Sequence, residues 1–336
     1  MKKRRIVILI AGLIIIGLPA YFCTNIYFFV NHPADPSSSK KMIITISPGQ
    51  NFNKIADDLF RQKIITSQIK FKLIARLKKS DRKLIAGEYE LSRAMTPLAI
   101  LKQLTDGSVR LHRLSIPEGF NIRQIAESVA AAGFCDQKSF IRTACDKEFA
   151  RKMKISATTF EGFLFPDTYY FSKDVSPQQI IAAMVARFHK VFLPEWKTRA
   201  QEMGFSVNEI ITLASIIEKE TGVATERPII SSVFHNRLKQ KMRLASDPTV
   251  IYGIKDFNGN ITKKNLNTYT PYNTYMIVGL PPGPIANPGS ESIKSALYPT
   301  KTKYLYFVAK QNKTHYFSST LAEHNRAVRK YQLRRR

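Results

Sequence analysis

The chain opens on an uninterrupted apolar run. From Ile6 to Val30 no residue carries a charge over 25 positions, enough at 1.5 Å of rise per residue to cross a hydrocarbon core of about 30 Å. A transmembrane helix is therefore expected at 6–30. Lys2, Lys3, Arg4 and Arg5 in segment 1–5 stay cytoplasmic by the tendency of basic residues to remain inside, which puts the rest of the chain on the far side. The run exceeds the h-region of a cleaved signal peptide and ends without a small-x-small site, so an uncleaved single-pass anchor in the plasma (inner) membrane is expected. NHPADPSSSKK at 31–41 has no apolar period and reads as a flexible tether.

The next stretch, 42–110, alternates between two periods. Met42 to Ile46 has strand character, Ser47-Pro48-Gly49 turns, and Phe52, Ile55, Ala56 and Leu59 follow helical spacing. Ser67 opens a second helix carrying Phe71, Leu73, Ile74 and Leu77. Gly87 to Leu91 returns as a strand, and Thr96-Pro97 starts another helix. The result is a βααβ module followed by a helix. At an offset of 70, Gly49, Ile55 and Ala56 match Gly119, Ile125 and Ala126. A repeated strand-turn-helix opening and a chance recurrence both fit two copies.

In 111–336 the clearest pattern is one helix. Ser206-Val-Asn-Glu209 is a capping box and Thr221-Gly222 a stop. Between them Val207, Ile210, Ile211, Leu213, Ala214, Ile216 and Ile217 cover most of the circumference, so the helix is packed on several sides. At about 100° per residue, Glu218 lies over Ile211 and Ala214, and Glu220 points about 200° away over Leu213 and Ile216. They cannot form a close pair. A carboxyl beside apolar groups at a helix C-terminus has a raised proton affinity, as a general acid needs. Periodicity does not choose between the two, and two solvated acids at an ordinary helix end fit the same pattern. Earlier, Glu161-Gly-Phe-Leu-Phe-Pro-Asp-Thr-Tyr-Tyr-Phe171 is aromatic-rich and reads as a core strand with flanking acids. Together these elements give an α+β fold: a transmembrane helix, a small βααβ module and a C-terminal mixed α/β domain.

Composition then narrows the chemistry. Lys and Arg exceed Asp and Glu by 27, which favours an anionic partner without naming it. Export past a membrane points to acidic headgroups and wall polymer rather than nucleic acid, for which no reading motif is present. Cys23, Cys135 and Cys145 make no disulfide framework and no zinc pattern, so neither a metal nor a cofactor is expected. The loops VFHNRL, SDPTVIYG, TPYNTY and GLPPGPIANPG are dense in hydroxyl, amide and aromatic groups. Such groups suit a polyhydroxylated ligand, and the Gly/Pro-rich loop suits a rigid wall.

These segments carry a resemblance. EGFLFPDTYYF, then LASIIEKETG, NRL, SDPTVIYG, TPYNTY and GLPPGPIANPG in that order resemble the MltG or YceG-like endolytic peptidoglycan transglycosylases over most of the chain. Two positions depart from the pattern: Lys241, where a glycine is usual, and Ala245, where a glutamine is usual. The resemblance implies a LysM-like module at 42–110 and a YceG-like catalytic domain at 111–336. It also implies cleavage of the MurNAc-GlcNAc bond of nascent strands with a 1,6-anhydro end, which terminates elongation, and synthases of the penicillin-binding class as partners. The catalytic glutamate maps to Glu218. On this reading Asn236, Asp247, Thr249, Tyr272 and Asn273 position the glycan, and Glu161 and Asp167 line the cleft or hold the loop. A membrane-tethered peptidoglycan-binding scaffold without turnover is the alternative.

Overall fold

A computed structural model describes the backbone of residues 2–255 and 257–333, and side chains from Ile15 onward within that range. The chain divides into two compact units, residues 1–112 with 170–174, and residues 113–169 with 175–336. Both mix helices with short strands, giving an α+β protein.

The first unit begins with helix α1 (Lys2–Asn31). The expected anchor at 6–30 falls on this helix, but the side chains of residues 1–14 lie outside the described set. Among the described residues no helix is long and apolar enough to cross a membrane. The last turn of α1 buries Phe29 in the unit's own core. There follow β1 (Lys41–Ile46), α2 (Phe52–Arg61), α3 (Gln68–Leu77), β2 (Gly87–Ser92) and α4 (Pro97–Asp106). β1 and β2 pair antiparallel with Ile44 opposite Tyr89, and period-2 alternation turns Ile44, Ile46, Tyr89 and Leu91 to one buried face. The helices cover that face with Ile55, Ala56 and Leu59, with Phe71, Ile74 and Ala75, and with Ile100, Leu101 and Leu104. Each large side chain so removed from water contributes roughly 1.5–3 kcal/mol. Asn51, Ser67 and Thr96 cap the three helices through backbone N–H groups, so their boundaries follow from capping residues legible in the sequence.

The second unit contains all but the first residue of β3 (His112–Ser115), α5 (Ile122–Ala131), α6 (Gln137–Ala144), α7 (Lys147–Lys152), the first half of β4 (Thr168–Phe171), α8 (Pro177–Val191), α9 (Pro194–Glu202) and α10 (Val207–Glu220). After a 3-10 turn come α11 (Arg227–Lys239), α12 (Asp247–Gly253), α13 (Lys263–Asn267), α14 (Ser290–Leu297), the β5 (Tyr306–Ala309) and β6 (His315–Ser318) hairpin, and α15 (Leu321–Val328). α10 is its axis. Ser206 closes the capping box with Glu209, every residue from Ile210 to Ile217 is buried, and α9, α11, α12 and α14 pack around it.

The aromatic run from Glu161 is not a strand along its length. Residues 161–164 turn and bend, and only Thr168–Phe171 is extended. The reason lies at Gly162, which has φ +87 and where a Cβ would sit 2.4 Å from Pro284 and 2.7 Å from Ile211. The chain folds sharply there and seats Phe163, Leu164 and Phe165 in the core. The Gly/Pro-rich loop packs against this turn. Ser215 of α10 accepts the Ile285 N–H at 3.0 Å, and buried Asn287 accepts the Leu164 N–H at 2.8 Å while donating to Phe120 O.

Candidate active site

The C-terminal turn of α10 presents its two carboxylates to different surroundings. Glu218 is nearly covered, with 7% of its side chain exposed. Its Oε2 accepts the backbone N–H of Gly289 at 3.0 Å, and its Oε1 accepts Arg227 Nη2 at 3.3 Å. The Gly289 donor arrives because the Gly/Pro loop ends at the N-cap of α14, where helix N–H groups lack partners of their own. Arg227 is the first residue of α11, beside Pro228. The same Arg227 nitrogen lies 4.0 Å from Glu118, in the loop between β3 and α5. Against the stem of Glu218 lies Gly119, where a Cβ would come to 3.4 Å of Glu218 Cγ.

Glu220 faces the other way. Ser246 Oγ donates to its Oε1, ahead of α12. Burial, reinforced by Asp247 and opposed by the Ser246 hydrogen bond and Arg237, pushes its carboxyl up to about 7. Arg237 itself donates to the carbonyls of Leu244 and Leu305, so this group of residues ties α10, α11 and the β5 region together.

A third acid, Glu161, is buried beneath a cavity of about 750 Å³. Its oxygens accept the Ile122 N–H at the start of α5, the Tyr252 hydroxyl at 3.0 Å and Asn287 Nδ2 at 3.0 Å. Burial outweighs these donors and pushes its carboxyl up to about 7. The cavity is lined by Gly119, Arg123, Glu161, Lys219, Tyr252 and Lys255 among others, and it begins one residue away from Glu218. Its size falls within the range of small-ligand and oligomer subsites.

Residues 44–330 match the model of the YceG-like family. The chain belongs to the YceG-like family. An endolytic murein transglycosylase of Bacillus subtilis is 36% identical over 315 residues, which cover 89% of this chain and 87% of the relative. One of Streptococcus pneumoniae strain D39 is 31% identical over 329 residues, and the match covers 88% of this chain and 59% of that longer protein. A 2.6 Å crystal structure of a yceG-like protein from Listeria monocytogenes superposes with a TM-score of 0.60 at 36% identity, covering 86% of this chain and 100% of the other.

The other sequence-derived site residues of this YceG-like chain occupy distinct places. Asn236 donates to the Thr302 and Tyr304 carbonyls. Asn273 is fully buried and donates to the Asn265, Leu266 and Thr268 carbonyls. Thr249 is buried, bonded to Ser246 O and the Thr274 hydroxyl. These three side chains hold loops. Asp167 pairs with Arg187 at 2.6 Å and orders the start of β4. Asp247 is exposed and accepts the Tyr275 hydroxyl at 2.7 Å. Tyr272 is half-buried and its ring lies 4.8 Å from that of Tyr252 in the cavity wall. Asp247 is thus the exposed one, and Tyr272 and Asp167 are partly open toward solvent. Ala245 adopts φ +46 and Lys241 φ +55, the left-handed region that favours glycine.

Sequence reasoning passed over Glu118, Arg227 and Gly289. For Glu118 a signal existed: in the 70-residue offset it stands where the first copy has Pro48. The equivalent turns match otherwise, with Gly49 at φ +73 and Gly119 at φ +76 and with Asn51 and Asn121 capping α2 and α5.

Proposed function

We propose that this chain is an endolytic murein transglycosylase that cleaves the MurNAc-GlcNAc bond of nascent peptidoglycan strands and leaves a 1,6-anhydro-MurNAc end, terminating glycan elongation. The observation that carries the reading is Glu218, set at the end of a buried helix between the Gly289 N–H and Arg227. Its relatives over most of the chain bear that activity in their names.

The reaction needs two proton transfers and no water. One proton goes to the leaving oxygen, and one leaves the C6 hydroxyl of the muramyl sugar as that oxygen attacks the anomeric carbon. In its simplest form Glu218 performs both in turn. Glu220, turned to Ser246 on another face of α10, takes no part at the Glu218 carboxyl. Asp247 and Tyr272 are the side chains best disposed to contact the glycan. Asn236, Asn273 and Thr249 act on it through the loops they hold, and Glu161 supports the cavity floor.

The uncharged run at 6–30 supports a single-pass anchor in the plasma membrane, with the N-terminus cytoplasmic and the chain from residue 31 onward extracytoplasmic. There the βααβ module acts as a LysM-like glycan-docking element, and nascent strands are met beside the synthases of the penicillin-binding class that make them. The excess of 27 positive charges favours both headgroups and a polymer bearing carboxylates. The test is product analysis. Full-length protein in detergent, incubated with uncrosslinked glycan strands, yields anhydro ends one water lighter than hydrolysed ends by mass. Hydrated reducing ends would overturn the lyase chemistry, and glycan binding without turnover would favour a scaffold.

A further inference from the structure

Glu218 is not the only carboxyl at its site. Arg227 Nη2 lies 3.3 Å from Glu218 Oε1 and 4.0 Å from Glu118 Oε2. The two carboxylates therefore approach one guanidinium, and their nearest oxygens are separated by no more than those two contacts together. That keeps them inside the upper limit of about 9.5 Å over which paired acids act across a glycosidic bond. Gly289 fixes the second side of the arrangement. Its N–H goes to Glu218, and a Cβ at Gly289 would meet Glu118 Oε1 at 1.9 Å, so the Glu118 carboxyl rests on the bare glycine. Both acids therefore meet at one backbone position.

Their surroundings differ in a way that matches two roles. Both oxygens of Glu218 face groups that only donate, the guanidinium and an amide N–H, so Glu218 is the acceptor of the pair. It is also the more enclosed, at 7% exposure against 51% for Glu118. Glu118 faces Glu218 on α10, Arg227 on α11 and Glu291 on α14, and Lys219 of α10 donates to the carbonyl of the adjacent Gly119 at 3.3 Å. Burial and then the charge of Glu218 raise the Glu118 carboxyl above its ordinary value, with Glu291 acting in the same sense and Arg227 opposing. The half-exposed member is thus the one whose proton affinity is raised and whose side chain is open to a substrate.

We propose that Glu118 is the general acid of the reaction and Glu218 its base, so that the two proton transfers are divided between them. The proposal rests on the transglycosylase reading. Glu118 gives its proton to the glycosidic oxygen as the bond to the anomeric carbon breaks. The C6 hydroxyl oxygen forms the new bond to that carbon and its proton passes to Glu218. The products are a 1,6-anhydro end and a free hydroxyl on the departing sugar, with Glu118 ionised and Glu218 protonated. Arg227 can pair with whichever carboxylate is charged, and the proton returns from Glu218 to Glu118 through solvent at the exposed member.

The distinguishing experiment varies the leaving group. Full-length wild type, Glu118→Gln and Glu218→Gln are assayed on uncrosslinked glycan strands and on an aryl glycoside of a short muramyl oligosaccharide, whose phenolate departs without protonation. Glu118→Gln is expected to lose at least 100-fold on strands and less than 10-fold on the aryl glycoside, while Glu218→Gln loses at least 100-fold on both. In the same strands, the fall of the wild-type rate at alkaline pH, caused by ionisation of the acid, should be absent from the residual activity of Glu118→Gln. Equal losses of Glu118→Gln on both substrates, near-wild-type activity on strands, or an unchanged alkaline limb would overturn the assignment. Should Glu118→Gln fail to fold by circular dichroism, Glu118→Asp, which keeps the acid one methylene shorter, must show the same split between substrates, and a uniform loss would count against the proposal. Hydrated ends from the wild type would instead overturn the transglycosylase reading itself, an outcome separate from either pattern in the variants.

Discussion

Gly289 donates its N–H to Glu218 at 3.0 Å and leaves, at its missing side chain, the room that Glu118 occupies. One residue of the Gly/Pro-rich loop therefore determines the placement of two acids from two other elements. The catalytic arrangement depends on where that loop lies, and the loop's position is set by Asn287, Gly162 and Ser215 rather than by the acids.

Gly289→Ala should separate the two functions of that position. Its φ of −74 suits alanine, and the atom a Cβ would strike is the end of a half-exposed side chain, which can swing away. The melting temperature should stay within about 3 °C of wild type, a change under about 1 kcal/mol. Strand cleavage should fall 10-fold or more, and the double variant with Glu118→Gln should be no slower than Glu118→Gln alone, because both changes remove the same group. Additive losses would show that Gly289 acts on something else.

Gly162→Ala is expected to act on stability. The backbone is held at φ +87 and the new methyl would overlap Pro284 and Ile211, neither of which is a flexible chain end. A loss of about 2–4 kcal/mol follows from the combined strain and overpacking, read as a lower midpoint in urea denaturation.

Glu161 makes stability depend on pH. Its carboxyl sits at about 7 in the folded chain against 4.5 when unperturbed. The folded state thus binds its proton more tightly, and the associated stability is fully present below about 4.5 and lost as pH rises through about 7, on the order of 3 kcal/mol in all. Glu161→Gln lacks this titration. Although the amide disturbs the donors around it, its unfolding free energy should gain on that of the wild type between about pH 5 and pH 8. A difference that stays constant over that window would contradict the assignment.

Much of the fold could be read before any coordinates. Ser67, Thr96 and Ser206 are strong N-caps followed by apolar spacing, and each opens a helix where that local chemistry puts it. The divergence of Glu218 from Glu220 followed from 100° per residue, and their separate partners Gly289 and Ser246 reflect it. What could not be read was long-range. The aromatic run after Glu161 has strand composition, yet the contact of Gly162 with Pro284, over a hundred residues away, turns it. Asn236 and Asn273 look like ligand-binding amides in sequence, and their carbonyl partners are a property of the folded loops. Glu118 and Arg227 meet Glu218 only through tertiary packing, so nothing in their local sequence marks them as a group.

The most direct measurement compares Glu218→Gln with Glu220→Gln, both confirmed folded, on uncrosslinked glycan strands, with the products resolved by mass. Glu218→Gln should lose anhydro-ended product by at least 100-fold, the scale of removing a group that moves a proton in the transition state, while Glu220→Gln still forms it. Full production of anhydro ends by Glu218→Gln, with none from Glu220→Gln, would contradict the account and transfer the chemistry to the Ser246 side of the helix.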